Sequence, residues 1–135
     1  MDEVIEYLLN FALSKGYGFI LTDKLKSTTP SCANPQQNKI IINTNWKNKN
    51  ELPFQIAHEI GHMLNGDEGV LYYSSYASHS KIENNADNKA IDLLLSYCVD
   101  MDKTTNNYSN FMYYYGIPDY LEQNVRRRYA DYFNH

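Results

Sequence analysis

Apolar residues at Val4, Ile5, Leu8, Leu9, Ala12 and Leu13 recur three and four positions apart, which predicts an N-terminal helix. Gly16 follows and suits the turn that ends one. The pattern then shortens. "GFILT" and "KIIIN" are brief apolar runs that read as strands over residues 19–22 and Lys39–Asn43, with a third strand expected near Cys32. The intervening "STTPSCANPQQN" is dense in turn formers. A second helix is expected over residues 51–64, with Asn50 as N-cap and Pro53 in the first turn, stopping at "NGDEG". "GVLYYSSYASHS" has no helical period and reads as a surface loop. Helical spacing resumes at Lys81, where Ile82, Ala86, Ala90, Leu93, Leu94 and Tyr97 share a face. "TTNNYSNFMYYYG" predicts a helix ending at Gly116, and "IPDYLEQNVRRRYADYF" predicts the last one. The expected class is α+β: a small, mainly antiparallel sheet packed on a helical core, as one domain over residues 1–135.

Composition narrows the function classes. The 135 residues are 43% hydrophobic and include thirteen tyrosines, enough for a core in which many rings carry a hydroxyl needing a partner. The net charge is −4 and the pI about 5.5. That argues against the basic face of a nucleic-acid binder, so no direct nucleic-acid contact is expected. No apolar run approaches membrane-spanning length. The opening "MDEVIEYLLN" is acidic where a secretory leader is basic, and a cytoplasmic protein is expected. Cys32 and Cys98 form no CxxC and read as two separate buried thiols.

One stretch carries chemistry. In "FQIAHEIGHML", His58 and His62 lie four apart, so on a helix they project from one face, one turn apart. Glu59 is rotated about 100° from His58 and would flank an ion held by the two imidazoles without ligating it, where a general base is needed. This is the physical content of HExxH. The alternative is a structural histidine pair, but two histidines on a largely apolar helix need partners. Gly61, costly inside a helix, would let another segment come close. A catalytic zinc takes three protein ligands and keeps one position open. The pattern HExxHxxGxxH fails here, because Asn65 and Glu68 stand where it needs glycine and histidine. The remaining source is a downstream helix. "KIENNADNKAIDLLL" offers Glu83 as third ligand, and Asp87, one turn later, as acceptor for the far ring nitrogen of His58 or His62. Ala86 and Ala90 are small enough for that helix to pack near Gly61.

"IIIN", "FQIAHEIGHML" and "KIENNADNKAIDLLL" together resemble the ImmA/IrrE family of zinc metallopeptidases, common in phages and mobile elements. The order of elements agrees, and the resemblance extends as far as Tyr97. Glu83, Ala86, Asp87 and Ala90 match the family's second motif, E-x-x-A-N/D-x-F-A, with Lys89 in place of the phenylalanine. "LLLSYC" lacks the proline that members often carry there. The resemblance implies a zincin-like fold of gluzincin type, one zinc per chain on His58, His62 and Glu83, and Glu59 as catalytic base. It also implies a zinc-dependent endopeptidase whose protein substrate is a regulator such as a phage or mobile-element repressor. The alternative is a non-catalytic antirepressor or protein-binding module with a structural zinc.

A peptidase also needs a donor for the developing oxyanion. Tyr72, Tyr73, Tyr76 and His79, in the loop between the two motifs, are the candidates. Lys39–Asn43 is the expected edge strand along which a peptide would lie. Arg126, Arg127 and Arg128 read as charges placed near a helix C-terminus, and the tyrosines at 113–115 read as packing.

Overall fold

The computed structural model describes residues 2–66, 71–72 (backbone alone) and 81–133. Asp2 caps α1 (Glu3–Ser14) by accepting from the Val4 amide at 3.3 Å, and Glu3 and Glu6 in the first turn complement the helix dipole. Val4, Leu8, Leu9 and Ala12 form its buried face. Gly16, at φ 83°, turns the chain, and the Tyr17 amide bonds back to Ala12 at 2.9 Å.

Four strands follow among the described residues: β1 (Gly18–Thr22), β2 (Cys32–Asn34), β3 (Lys39–Asn43) and β4 (Leu71–Tyr72). Their order is β1-β3-β2-β4. β1 runs parallel to β3, with Gly18 opposite Lys39, while β2 is antiparallel to both β3 and β4. The sheet is thus mixed, and its longest pairing is the parallel one. β3 is internal, which overturns its expected place at the edge. Ile40, Ile42 and Asn43 are all buried, and a β-branched run of this kind is spent between two neighbours. β1 and β4 are the edges, and on β1 Ile20 and Leu21 are turned to solvent. Leu71 and Tyr72, expected in a loop, pair with Ala33 and Cys32 as β4.

The buried Asn43 organises the loop between β1 and β2. Its side-chain amide donates to the carbonyls of Lys26 and Thr29 at 2.8 and 2.7 Å, and its backbone amide bonds to Ser31 Oγ at 3.1 Å. A polar residue at zero exposure is tolerable because its hydrogen-bonding groups are matched.

α2 (Leu52–Asn65) is buried from Leu52 through Met63. Its start differs from the expectation. A 3-10 turn, Lys49–Glu51, precedes it; Asn48 caps that turn, and Glu51, at the N-cap position of α2, makes no capping bond with its side chain. Trp46 Nε1 donates to Glu51 at 2.7 Å and pins this entry. α2 ends at Gly66, φ 68°. α3 (Lys81–Asp100) packs along it and contributes Ala90, Ile91, Leu94 and Leu95 to the core. α4 (Tyr108–Tyr115) is capped by Asn107 and ends at Gly116, where an added Cβ would strike the backbone of Asn50 and Glu51. Tyr115 is buried while Tyr113 and Tyr114 are exposed, so only the third of that run packs. A 3-10 turn (Asp119–Leu121) leads into α5 (Glu122–Phe133). The two cysteines are free and buried. No helix among the described residues is long and apolar enough to cross a membrane.

The spacing between α2 and α3 is set at Gly61. A Cβ there would lie 2.7 Å from the Ala86 carbonyl oxygen and 3.1 Å from its Cα. Backbone cannot yield as a flexible side chain would, so Gly61→Ala must push the helices apart. The expected cost is about 1–3 kcal/mol, read as a lower urea midpoint, together with weaker metal binding if these helices share one ion. An unchanged midpoint would show that the contact relaxes freely.

Candidate metal centre

α2 supplies His58, Glu59 and His62, and α3 supplies Glu83 and Asp87. The i, i+4 spacing stacks the two imidazoles with ring centroids 4.7 Å apart and nearly perpendicular planes. Both are fully buried. Their Nε2 atoms converge on one oxygen: His58 lies 3.3 Å and His62 2.7 Å from Glu83 Oε1. One ligand atom from each of the three residues falls within 4.8 Å of the others. The Glu83 side chain is 16% exposed, so the cluster meets solvent on that side.

Asp87 sets the orientation. His58 Nδ1 donates to Asp87 Oδ1 at 2.8 Å. With that proton on Nδ1, the Nε2 lone pair of the neutral ring is directed at the cluster. The sequence left open which histidine Asp87 serves, and the structure pairs it with His58.

Glu59 points elsewhere. It is fully buried, and among the described residues neither of its carboxylate oxygens has a hydrogen-bond partner. Its charge acts on the Cys32 thiol of β2, which burial and Glu59 together push upward. Glu59 therefore lies within electrostatic reach of both the sheet and the cluster. A buried carboxylate with no donor is expensive. A divalent ion with a water would relieve it, and two imidazoles with one carboxylate are a donor set that accepts such an ion.

The charges in the metal-free site follow from these contacts. Burial raises the Glu59 carboxyl, against the pull of His58 and His62, to about 8. For His58, burial works downward but is outweighed by hydrogen bonds to Asp87 and Glu83, and the ring is pushed up to about 10. For Glu83, burial works upward, and hydrogen bonds from both imidazoles hold it down at about 2.

Of the expected oxyanion donors, Tyr73, Tyr76 and His79 lie outside the described residues. So does the side chain of Tyr72, whose backbone pairs with Cys32 beside the site. One residue near the cluster was missed. Tyr120, half-buried in the 3-10 turn before α5, has its phenol raised by burial and by the charges of Asp87 and Glu83. No spacing rule links it to residues more than thirty positions earlier. A cleft of 1180 Å³ lies next to this turn, lined by Trp46, Glu51, Tyr108, Tyr113 and Asp119. Asp119 faces that cleft, while its neighbour Tyr120 lies within electrostatic reach of Asp87 and Glu83.

Residues 16–118 match the family model of the IrrE N-terminal-like domain, peptidase family M78. The chain belongs to this family. The matched span holds all five residues of the cluster, and Tyr120 lies beyond it. No curated protein and no solved structure gives a significant match. For this M78 domain, membership brings a metallopeptidase assignment, and the His58–His62–Glu83 cluster is a place where its ion can sit.

The pH dependence of the metal-free protein follows. His58, raised from 6.5 to about 10, contributes stability that is complete below 6.5 and lost as pH rises to about 10. Glu59, raised from 4.5 to about 8, loses its contribution as pH climbs between those values. Glu83, lowered from 4.5 to about 2, loses its own as pH falls between them. Thermal melts in EDTA should peak in mildly acid solution and fall on both sides. Glu59→Gln should flatten the slope between about pH 5 and 8. A wild-type profile level through neutrality would refute this account.

Proposed function

We propose that this chain is a zinc-dependent endopeptidase acting on a regulatory protein, a phage or mobile-element repressor by family resemblance. The observation that carries the reading is Glu59: a buried carboxylate with no hydrogen-bond donor among the described residues, next to a ready three-ligand cluster. A structural metal site has no use for such a group, whereas a hydrolase requires one.

His58, His62 and Glu83 would hold the ion, and Asp87 would keep the His58 ring in the ligating tautomer. Zinc, when bound, supplies a Lewis acid and draws the pKa of water toward ~7. Glu59 is the base. It accepts the proton of the attacking water and returns it to the departing amine. Burial gives its carboxyl a proton affinity suited to both transfers, and the ion's charge brings that affinity down from about 8 when the site is filled. The open side at Glu83 is where a peptide would enter. The sheet edge along which it lies cannot be β3. β4, paired to β2 beside Glu59, is the edge near the cluster among the described residues.

Metal analysis and one variant test the reading. Wild type should hold one zinc per chain, and Glu83→Ala should lose it or bind it far more weakly. Glu59→Gln should keep zinc and lose about 10²–10⁴-fold in peptide cleavage. If Glu59→Gln still relieves repression in full, the protein acts as a sequestering antirepressor and the enzyme reading of its biology is wrong.

A further inference from the structure

α5 lies along α3 in parallel register. Asn124 Nδ2 donates to Asn88 Oδ1 at 2.8 Å, and Arg128 Nε meets Asp92 Oδ1 at 3.2 Å. The Tyr132 hydroxyl lies 3.4 Å from both the Asp92 carbonyl oxygen and Ser96 Oγ. The contacts advance four residues at a time on both helices, so each rung is one turn from the next. Tyr120 lies in the 3-10 turn that leads directly into α5, one turn before Asn124, so it enters at the N-terminal end of α3, the end that carries Glu83 and Asp87. Leu121 and Val125 are buried on the neighbouring face and hold this register.

The electrostatics agree independently. The charges of Asp87 and Glu83 both act on the Tyr120 phenol, in keeping with that placement. Glu59, on α2, acts electrostatically on Cys32 of the sheet. The ligand cluster therefore has a base beside it on α2 and a phenol near it from the turn before α5.

We propose that Tyr120 is a catalytic residue of this site, donating a hydrogen bond from its phenolic O–H to the substrate carbonyl oxygen as negative charge develops there. The proposal rests on the peptidase reading. The water oxygen bonds to the carbonyl carbon, its proton passes to Glu59 and then to the amine, and the C–N bond breaks. Tyr120 keeps its own proton throughout. Burial and two nearby carboxylates keep the phenol protonated across the neutral range, which makes it a constant donor. A donor of this kind is commonly worth about 10²–10³ in turnover.

Tyr120→Phe tests this, since it removes the hydroxyl and keeps the ring. Three readouts are needed: zinc affinity by chelator competition, cleavage of a random peptide library, and inorganic phosphate binding to the cobalt-substituted protein followed by its visible spectrum. Phosphate stands in as a tetrahedral oxyanion. The expected result is a folded variant with wild-type zinc affinity, cleavage about 10²–10³-fold slower, and phosphate affinity lower by about tenfold or more. Wild-type cleavage and phosphate binding by the variant would overturn the proposal while leaving the peptidase reading intact. A tenfold loss of zinc affinity would also overturn it, making Tyr120 a support for Glu83. A wild type that binds zinc but cuts nothing in the library would remove the peptidase reading and this proposal together.

Discussion

The close approach of α2 and α3 at Gly61 and Ala86 is the constraint on which the site depends. Two imidazoles on one helix cannot complete a catalytic ligand set, and the third ligand must come from another element at a fixed height and distance. With no side chain at Gly61, the backbone of α3 comes within van der Waals range of α2. The same contact sets Glu83 level with both Nε2 atoms and Asp87 level with His58 Nδ1. Cost in helix propensity at one position is exchanged for the geometry of four functional side chains.

Around that contact the protein carries charge into its interior. His58, Glu59, His62 and Asp87 are all fully buried. Such groups persist in low dielectric only when paired, and here the pairing is uneven. Asp87 and His58 satisfy each other and Glu83 meets both imidazoles, while Glu59 remains without a hydrogen-bond donor among the described residues. The surrounding apolar residues, Phe54, Ile56, Ile60 and Leu94, contribute about 1.5–3 kcal/mol each by burial. That supply makes a costly site tolerable, and the imbalance left at Glu59 is what an ion and a water would correct.

The remaining elements act as a frame. The sheet backs α2 from one side, with β3 inside it and β2, β3 and β4 packed against the helix. Gly116 lets the α4 end dock on the entry to α2, which places the 3-10 turn and α5 against α3. The ion pair and hydrogen bonds of Asn124, Arg128 and Tyr132 then hold α5 in register along α3. The arginine run is accordingly less uniform than its spelling: Arg128 is committed to Asp92, and Arg126 lies over the Tyr108 ring at 5.3 Å.

By itself, the sequence determined whatever depends on local spacing. The helices of residues 58–62 and 83–87 follow from apolar periodicity, and the common face of each ligand pair follows from 3.6 residues per turn. The need for a glycine at the crossing could be read as well, because a helix seldom keeps one without a close neighbour. What the sequence left open was decided by pairing across long separations. Strand order put β3 inside the sheet, since two strands competed for its edges and no local signal ranks them. Asp87 was assigned to His58 by the axial offset of two helices. Asn50 does not cap α2 because it lies within a 3-10 turn that Asn48 caps and the Trp46–Glu51 hydrogen bond fastens. Tyr120 comes within electrostatic reach of Asp87 and Glu83 because α5, which its turn leads into, packs on α3, a relation between surfaces that one-dimensional spacing does not contain.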